Sequence, residues 1–471
     1  MLAGFALRLY RLDWQSLWYD ELFSAWYSGM NLAPMLQAII PDVVNPPLHY
    51  FLLHYWMLLF GSGDASVRMP SVLAGAATVA MTYPIARRLV DANVALVATL
   101  LMAISQIAIE YSQEARAYAL AQMLSVFCIW FWLEARRTRS WGYWWLFTAS
   151  SVILVYTHYY AASILIALAL WTLLDSAAEP VEWTKWATLL AVGAAAYLPW
   201  LLTGILGAFR SIHRVVNHPG SIRVARWYSP LSAIEQFNSS NWTGFPIPHP
   251  LVDVAGCLLF LVPALFTVAT LLFRTTWSRA SRRTVALLTV LVIVPMALPI
   301  GLGLVAHVQF TIRYVLFALV PYYILAAMGI CSLRPVWLKG TFLVIVCLFS
   351  MGALRSTYFT PEKPAYREAV HYLSANYQPG DCIVFSPENH DGAPYYWRVY
   401  SPEGLANRAA TASCSRQWLV WDDTPWKAKQ ETPRKAVVAT LSQGYVPLPE
   451  VKFHRISVQL FGARAATKPR Q

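Results

Sequence analysis

What most restricts this chain is a succession of apolar runs near membrane-crossing length, separated by short arginine clusters. A helix needs roughly 20 predominantly apolar residues to cross a hydrocarbon core, where no water is present to satisfy backbone polar groups. Such runs lie at 67–89, 92–109, 117–135, 144–156, 161–174, 186–205, 251–273, 285–306, 314–331 and 338–354. Only 13% of the residues are charged, where a water-soluble domain carries about a quarter. The pattern predicts an all-α polytopic membrane protein and excludes a soluble globular one.

The net charge of +12 does not point to nucleic acid. Much of it sits between the apolar runs, at Arg87–Arg88, Arg136–Arg137–Arg139, Arg274 to Arg283, and Arg334 with Lys339, as cytoplasmic loops do under the positive-inside rule. Residues 1–10 are apolar but too short to span, and are read as the end of a first helix that begins upstream. With it, about eleven spans are expected, and a cytoplasmic start puts the C-terminal tail outside. Residues 48–60 are apolar yet short. If they crossed, the first two arginine clusters would fall outside, so they read as a juxtamembrane helix in the interface, ending at Gly61 and Gly63. Two more short helices are expected at 22–30 and 33–40.

The chain therefore divides into a transmembrane domain, 1–355, and an extracytoplasmic C-terminal domain, 356–471. The tail is polar enough to fold as a small α+β module, with an amphipathic helix at 366–375 and strands at 381–386 and 418–421. Cys382 and Cys414 lie in it and can pair if it faces an oxidising compartment. The other cysteines lie in or beside apolar runs and read as small hydrophobes.

Polar groups collect at the outer ends of the runs. Asp20 and Glu21 are adjacent in the first loop, and Arg68 opens a span. Glu110, Glu114 and Arg116 follow, with Glu110 and Glu114 spaced for one helical face. His158, His307, Arg313 and Tyr314 complete the set. Taken singly, each has a structural reading: a helix start, a solvated ion pair, snorkelling anchors, an interfacial histidine. Taken together, ionisable groups at one bilayer boundary mark a water-filled functional site.

The order and spacing of the motifs add something more specific. Leu9-Tyr10-Arg11-Leu12 through Ser16-Leu17-Trp18-Tyr19-Asp20-Glu21, then Asn45-Pro46-Pro47-Leu48-His49-Tyr50, resemble the first loop of the protein O-mannosyltransferase-like superfamily. So do Arg68-Met69-Pro70-Ser71 and Tyr111-Ser112-Gln113-Glu114-Ala115-Arg116-Ala117-Tyr118. This superfamily belongs to the GT-C fold class and includes the lipid A aminoarabinose transferases. The resemblance covers residues 5–205, weakens toward Arg313-Tyr314, and does not reach the tail.

The resemblance implies a sugar carried on a lipid phosphate and inversion at the anomeric carbon. It implies Asp20 as catalytic base with Glu21 beside it, and Glu114 as the second acidic position. Arg68, Arg116, Arg313 and Tyr314 are candidates for the carrier phosphate, and His158 for the third outer loop. Members commonly carry His before the two prolines; here Asn45 stands there, and His49 is the candidate to replace it. The chemistry suits these residue types. A carboxylate must take the proton of an acceptor hydroxyl, and arginine or a metal must meet the charge developing on the departing phosphate. A divalent metal ion is an open option, since metal dependence varies within the fold class.

The leading expectation is a glycosyltransferase of the bacterial inner (plasma) membrane, with its site and C-terminal domain extracytoplasmic. Its partners would be a polyprenyl-phosphate sugar donor, membrane lipids and an acceptor that is a protein, a lipid glycan or a cell-wall polymer. A transferase using a pyrophosphate-linked oligosaccharide, and a non-catalytic membrane subunit of the same fold, are the alternatives. A transporter fits poorly, because the polar residues gather at one face rather than at mid-membrane.

Overall fold

The structure, a computed structural model, describes residues 1–40, 45–216, 238, 249–273, 278–306, 311–386, 393–400, 414–423 and 434–463. His307 and most of the 206–250 loop lie outside these. Predominantly helical, the chain opens with α1 (Leu2–Leu9), α2 (Tyr19–Ser28), α3 (Leu32–Ile39) and α4 (Leu48–Phe60). Next come α5 (Asp64–Leu89), α6 (Ala92–Ile104), α7 (Gln106–Ser112), α8 (Ala117–Thr138), α9 (Trp141–Thr157), α10 (Ala162–Leu174) and α11 (Trp183–Val216). Then α12 (His249–Gly256) runs through a π-helical turn, Cys257–Leu261, into α13 (Val262–Phe273), followed by α14 (Arg279–Ala306), α15 (Leu319–Cys331) and α16 (Val336–Phe359). Each apolar run of the sequence falls on one of these helices or on a pair of them.

Among the described residues six helices are long and apolar enough to cross a membrane, or up to seven if the bent pair α6–α7 is one span. The chain is an integral membrane protein. The reading of about eleven spans also counts α1, α9, α10 and α15, which are shorter. The C-terminal residues add α17 (Tyr366–Asn376), β1 (Cys382–Ser386), α18 (Ala393–Tyr400), β2 (Arg416–Asp422), α19 (Arg434–Gly444), β3 (Tyr445–Phe453) and β4 (Ile456–Ala463).

Two compact units emerge: Met1–Arg11, Met30–Leu59 and Val67–Thr360 form the first, and Leu12–Gly29, Phe60–Ser66 and Pro361–Gln471 the second. In the first, α15 is buried along almost its whole length and packs on α6, α13 and α14. Gly329 makes the approach to α13 possible. A Cβ there would collide with the backbone carbonyl of Pro263, the small-residue contact that membrane helices use to bring backbones together.

The break between α6 and α7, a bend of 56°, aims the turn that follows α7 in the first unit. A helix that stops inside an apolar layer leaves carbonyls without partners, and each is costly there. Arg8 of α1, fully buried, supplies the donors. Its guanidinium reaches Ala103 O and Met102 O at 3.3 Å, Gly4 O at 2.9 Å and Ser112 Oγ at 3.2 Å. Ser105 restarts the ladder, accepting from Ala108 N at 3.4 Å and from the Tyr323 hydroxyl at 2.9 Å. Gln113 ties the far end of α7 to the carbonyls of Arg8 and Tyr10 at 3.0 and 2.9 Å.

The second unit is built on a four-stranded sheet of order β1-β2-β4-β3, parallel at β1–β2 and antiparallel elsewhere. Leu419, Trp421, Leu441 and Phe461 form a core on it. Cys382 and Cys414 are disulfide-bonded, with Cα atoms 5.8 Å apart, whereas Cys128, Cys257, Cys331 and Cys347 form no disulfide. The expected helix at 366–375 and strands at 381–386 and 418–421 are present as α17, β1 and β2.

Candidate functional site

In the second unit the segment carrying Asp20 is pinned by residues from the chain's other end. Gln15 Oε1 accepts from the backbone N–H groups of Glu362 and Lys363 at 2.7 and 2.9 Å, and the Tyr396 hydroxyl lies 2.6 Å from Leu17 N. Arg367 N donates to Ser16 Oγ at 3.1 Å. The helix starts earlier than its apolar pattern suggests, so both acids fall in the first turn of α2, where the helix dipole favours negative charge. Their environments then diverge. Glu21 is fully buried; its Oε2 accepts from Trp18 N at 3.2 Å and pairs with Lys363 Nζ at 2.8 Å. Asp20 is half-buried.

The first unit gathers a second set around one ring. Tyr118, in the first turn of α8, has the Arg116 guanidinium 5.7 Å and the Arg313 guanidinium 5.5 Å from its centroid. His158, the residue ending α9, packs its ring 5.6 Å from Tyr118 and 5.8 Å from Tyr314, and Tyr160 stacks on Tyr314 at 4.4 Å. Arg116 Nη2 donates to Asn45 Oδ1 at 3.2 Å, and its carbonyl accepts from Ser71 at 3.2 Å. Ser71 stands one turn along α5 from Arg68, itself 2% exposed. Glu114 is 6% exposed, in the turn after α7.

His49 reaches the same turn from α4: its Nε2 lies 3.2 Å from the Ala115 carbonyl, so the neutral ring carries its proton there. Burial, then the charge of Arg116, lowers its pKa to about 3, against a smaller raising effect of that hydrogen bond. His158 is lowered to about 3 for the same first reason, with Arg116 and then Arg313 adding to it. Both are therefore neutral at physiological pH. Each keeps a buried Nδ1 without a hydrogen-bond partner among the described residues. Two guanidinium groups, neutral imidazoles and tyrosine rings, with Glu114 in the same turn, form a polar corner whose arginines are suited to an anion.

Of the expected residues, the structure brings Arg116, Arg313, Tyr314, His158 and His49 to one turn region of the first unit, with Glu114 in that turn. Arg68 is buried on α5. Asp20 and Glu21 belong to the second unit. One expectation fails: α7 ends at Ser112, so Glu110 and Glu114 do not share a continuous helical face. Sequence reasoning passed over Tyr118, Tyr160 and Asn45 as site residues. Tyr118 had a signal, standing two residues beyond Arg116 at a helix start. Among the described residues no three His, Cys, Asp or Glu side chains gather as a metal site.

The sequence profile of the dolichyl-phosphate-mannose-protein mannosyltransferase family matches residues 44–202, less than half of the chain. No curated protein is similar enough in sequence to match. Solved structures are. ArnT from Cupriavidus metallidurans bound to undecaprenyl phosphate aligns with TM-score 0.56 at 14% identity, over 98% of this chain and 96% of that one. Its apo form aligns with TM-score 0.58 at 13% identity over the same shares. The fold is that of the GT-C glycosyltransferases. A further GT-C structure, the oligosaccharyltransferase of Archaeoglobus fulgidus tethered with an acceptor peptide, aligns with TM-score 0.50 at 13% identity. It covers 86% of this chain and 59% of its own.

Proposed function

We propose that this protein is a membrane glycosyltransferase that moves a monosaccharide from a polyprenyl-phosphate donor to an acceptor hydroxyl, with inversion, at the extracytoplasmic face of a bacterial inner membrane. The observation that carries the reading is the corner of Arg116 and Arg313 around Tyr118, in a fold shared with ArnT, whose structure holds undecaprenyl phosphate. The disulfide in the second unit supports an oxidising, extracytoplasmic side for the tail.

In this reading Arg116 and Arg313 bind the donor phosphate and take up the charge that grows on it as its bond to the anomeric carbon breaks. Neutral His158 and His49 add no charge, and their Nδ1 atoms accept hydrogen bonds from sugar hydroxyls. Asp20 takes the proton of the acceptor hydroxyl while the new bond forms on the opposite face of the sugar. Glu21, committed to Trp18 N and Lys363, positions α2 rather than reacting. Glu114 balances the arginines and orients the sugar. Arg68 and Tyr314 add to the phosphate site, and Asn45 holds Arg116 through its Oδ1.

The test is transfer from a panel of radiolabelled polyprenyl-phosphate monosaccharides by wild type and Asp20→Asn in membranes, with and without EDTA. Wild type is expected to transfer one label, and Asp20→Asn to lose roughly 100-fold or more. Equal activity in the two removes Asp20 as base. Transfer only from a pyrophosphate-linked oligosaccharide replaces the monosaccharide reading.

A further inference from the structure

At the other end of α8 from Tyr118, three of the arginine clusters meet. The ends of α5, α8 and α10 and the start of α14 enclose a cleft of about 270 Å³. Four arginines line it: Arg88, Arg136, Arg137 and Arg283. Positive-inside sorting needs such residues only somewhere near the helix ends, hydrated and apart. Here they converge on one hollow, and three carboxylates are enlisted to hold them. Asp175, buried, pairs with Arg136 at 3.0 Å and with Arg283 at 2.5 Å; Glu179 lies 2.7 Å from Arg136. Glu134, also buried, takes Arg137 at 2.5 Å and Arg88 at 3.4 Å. The four guanidiniums therefore exceed the carboxylates by one positive charge.

Two features distinguish this from a self-satisfied ion-pair network. Arg136 is nine-tenths buried as a side chain, yet its Nη1 has no hydrogen-bond partner among the described residues. Leaving a buried charged donor unmade is expensive, unless a ligand completes it. The guanidinium carbon also lies over the Trp132 ring, 4.9 Å from its centroid. The second feature is the wall: Leu89, Leu133, Leu287 and Trp171 line the same cleft. Exposed Arg88, Arg137 and Arg283 beside buried Trp171 and Leu287 match an amphiphile whose charged group sits at a membrane surface.

We propose that this cleft is a phosphate-binding site, separate from the candidate active site, and that its occupant is the phosphodiester of an anionic glycerophospholipid. Arg136 Nη1 donates to a phosphate oxygen, Arg88 and Arg137 close over it from the more exposed side, and the acyl chains follow the leucine wall. Basic pockets between membrane helices recognise such headgroups by this combination of charge and apolar surface. The bound lipid would tie the ends of α5, α8 and α14 together at the leaflet opposite the transfer site.

The experiment uses the intact protein released from detergent and counted by native mass spectrometry, titrated with phosphatidylglycerol, phosphatidylcholine or inorganic phosphate. Arg88→Gln is the principal variant, because that side chain is 43% exposed and buried Glu134 keeps Arg137 at 2.5 Å when it is lost. Arg136→Gln is the second, and unchanged melting temperature certifies each. One retained phosphatidylglycerol per chain, not displaced by phosphatidylcholine and weakened at least fivefold in either variant, is the expected result. Retention that is equal for both lipids, or equal in wild type and both folded variants, overturns the proposal. Phosphate alone competing at micromolar concentration, with no retained lipid, would reassign the source to a soluble phosphate compound and refute the lipid. Loss of sugar transfer is not a readout here, so failure of the proposed activity and failure of this site are told apart.

Discussion

A neutral imidazole beside two guanidiniums is the most testable feature at the scale of single residues. His49 and His158 remain uncharged in the folded chain down to about pH 3, whereas in the unfolded chain they take a proton near 6.5. Between those values the unfolded state holds more protons. Stability is therefore whole above about pH 7 and falls as pH drops toward 3, by up to about 1.4 kcal/mol per pH unit for each histidine. Melting of the detergent-solubilised protein from pH 7.5 to 5 should show that slope, and His49→Asn/His158→Asn should flatten it; equal slopes would refute the assignment. Arg116→Lys keeps the charge but loses the planar fork that reaches Asn45 and faces Tyr118. It is expected to raise the donor KM about tenfold or more with little change in melting temperature, as read by initial rates against donor concentration. The sequence exposed these charged groups because ionisable residues at membrane boundaries are rare. It hid Tyr118 and Asn45, since an aromatic ring at a helix end and an amide before Pro46 have ordinary interfacial readings until their partners are seen.

For the helices, the apolar runs located the elements well and their interruptions poorly. A run such as 92–109 carries no proline or glycine, so nothing in its hydropathy announces the bend at Ser105. The bend depends on Arg8, which is more than ninety positions away in sequence and supplies donors to the carbonyls freed there. Arg8→Met keeps much of the volume and removes those donors. It is expected to lower stability by about 3–5 kcal/mol, the range for breaking a buried charged network, and to depress transfer by displacing the turn of Glu114 and Arg116. Thermal melting and transfer rates read both effects, and a variant with unchanged melting would remove Arg8 from this role. The tail was legible only in part for a different reason. Strands β1 and β2 carry continuous apolar runs, while β3 is interrupted by Pro447 and Pro449 and mostly exposed, a pattern that edge strands tolerate and that alternation alone does not reveal.

Across the whole molecule, the two ends of α8 carry separate arginine groups, and this fixes what a topology experiment must find. Arg116 and Tyr118 stand at its start, and Arg136 and Arg137 at its end, beside Arg88 and Arg283. The charge bias that orients membrane helices acts on the second group and predicts a cytoplasmic position for it. The disulfide between Cys382 and Cys414 calls independently for an oxidising compartment around the second unit. If both inferences hold, a cysteine at the exposed β3–β4 turn, His454→Cys, reacts with a membrane-impermeant maleimide in intact cells. A cysteine at exposed Arg137, Arg137→Cys, reacts only after permeabilisation. Labelling of both from outside would break the charge argument. Labelling of neither until permeabilisation would put the disulfide unit in a reducing compartment, and with it Asp20, where the proposed extracytoplasmic transfer cannot occur.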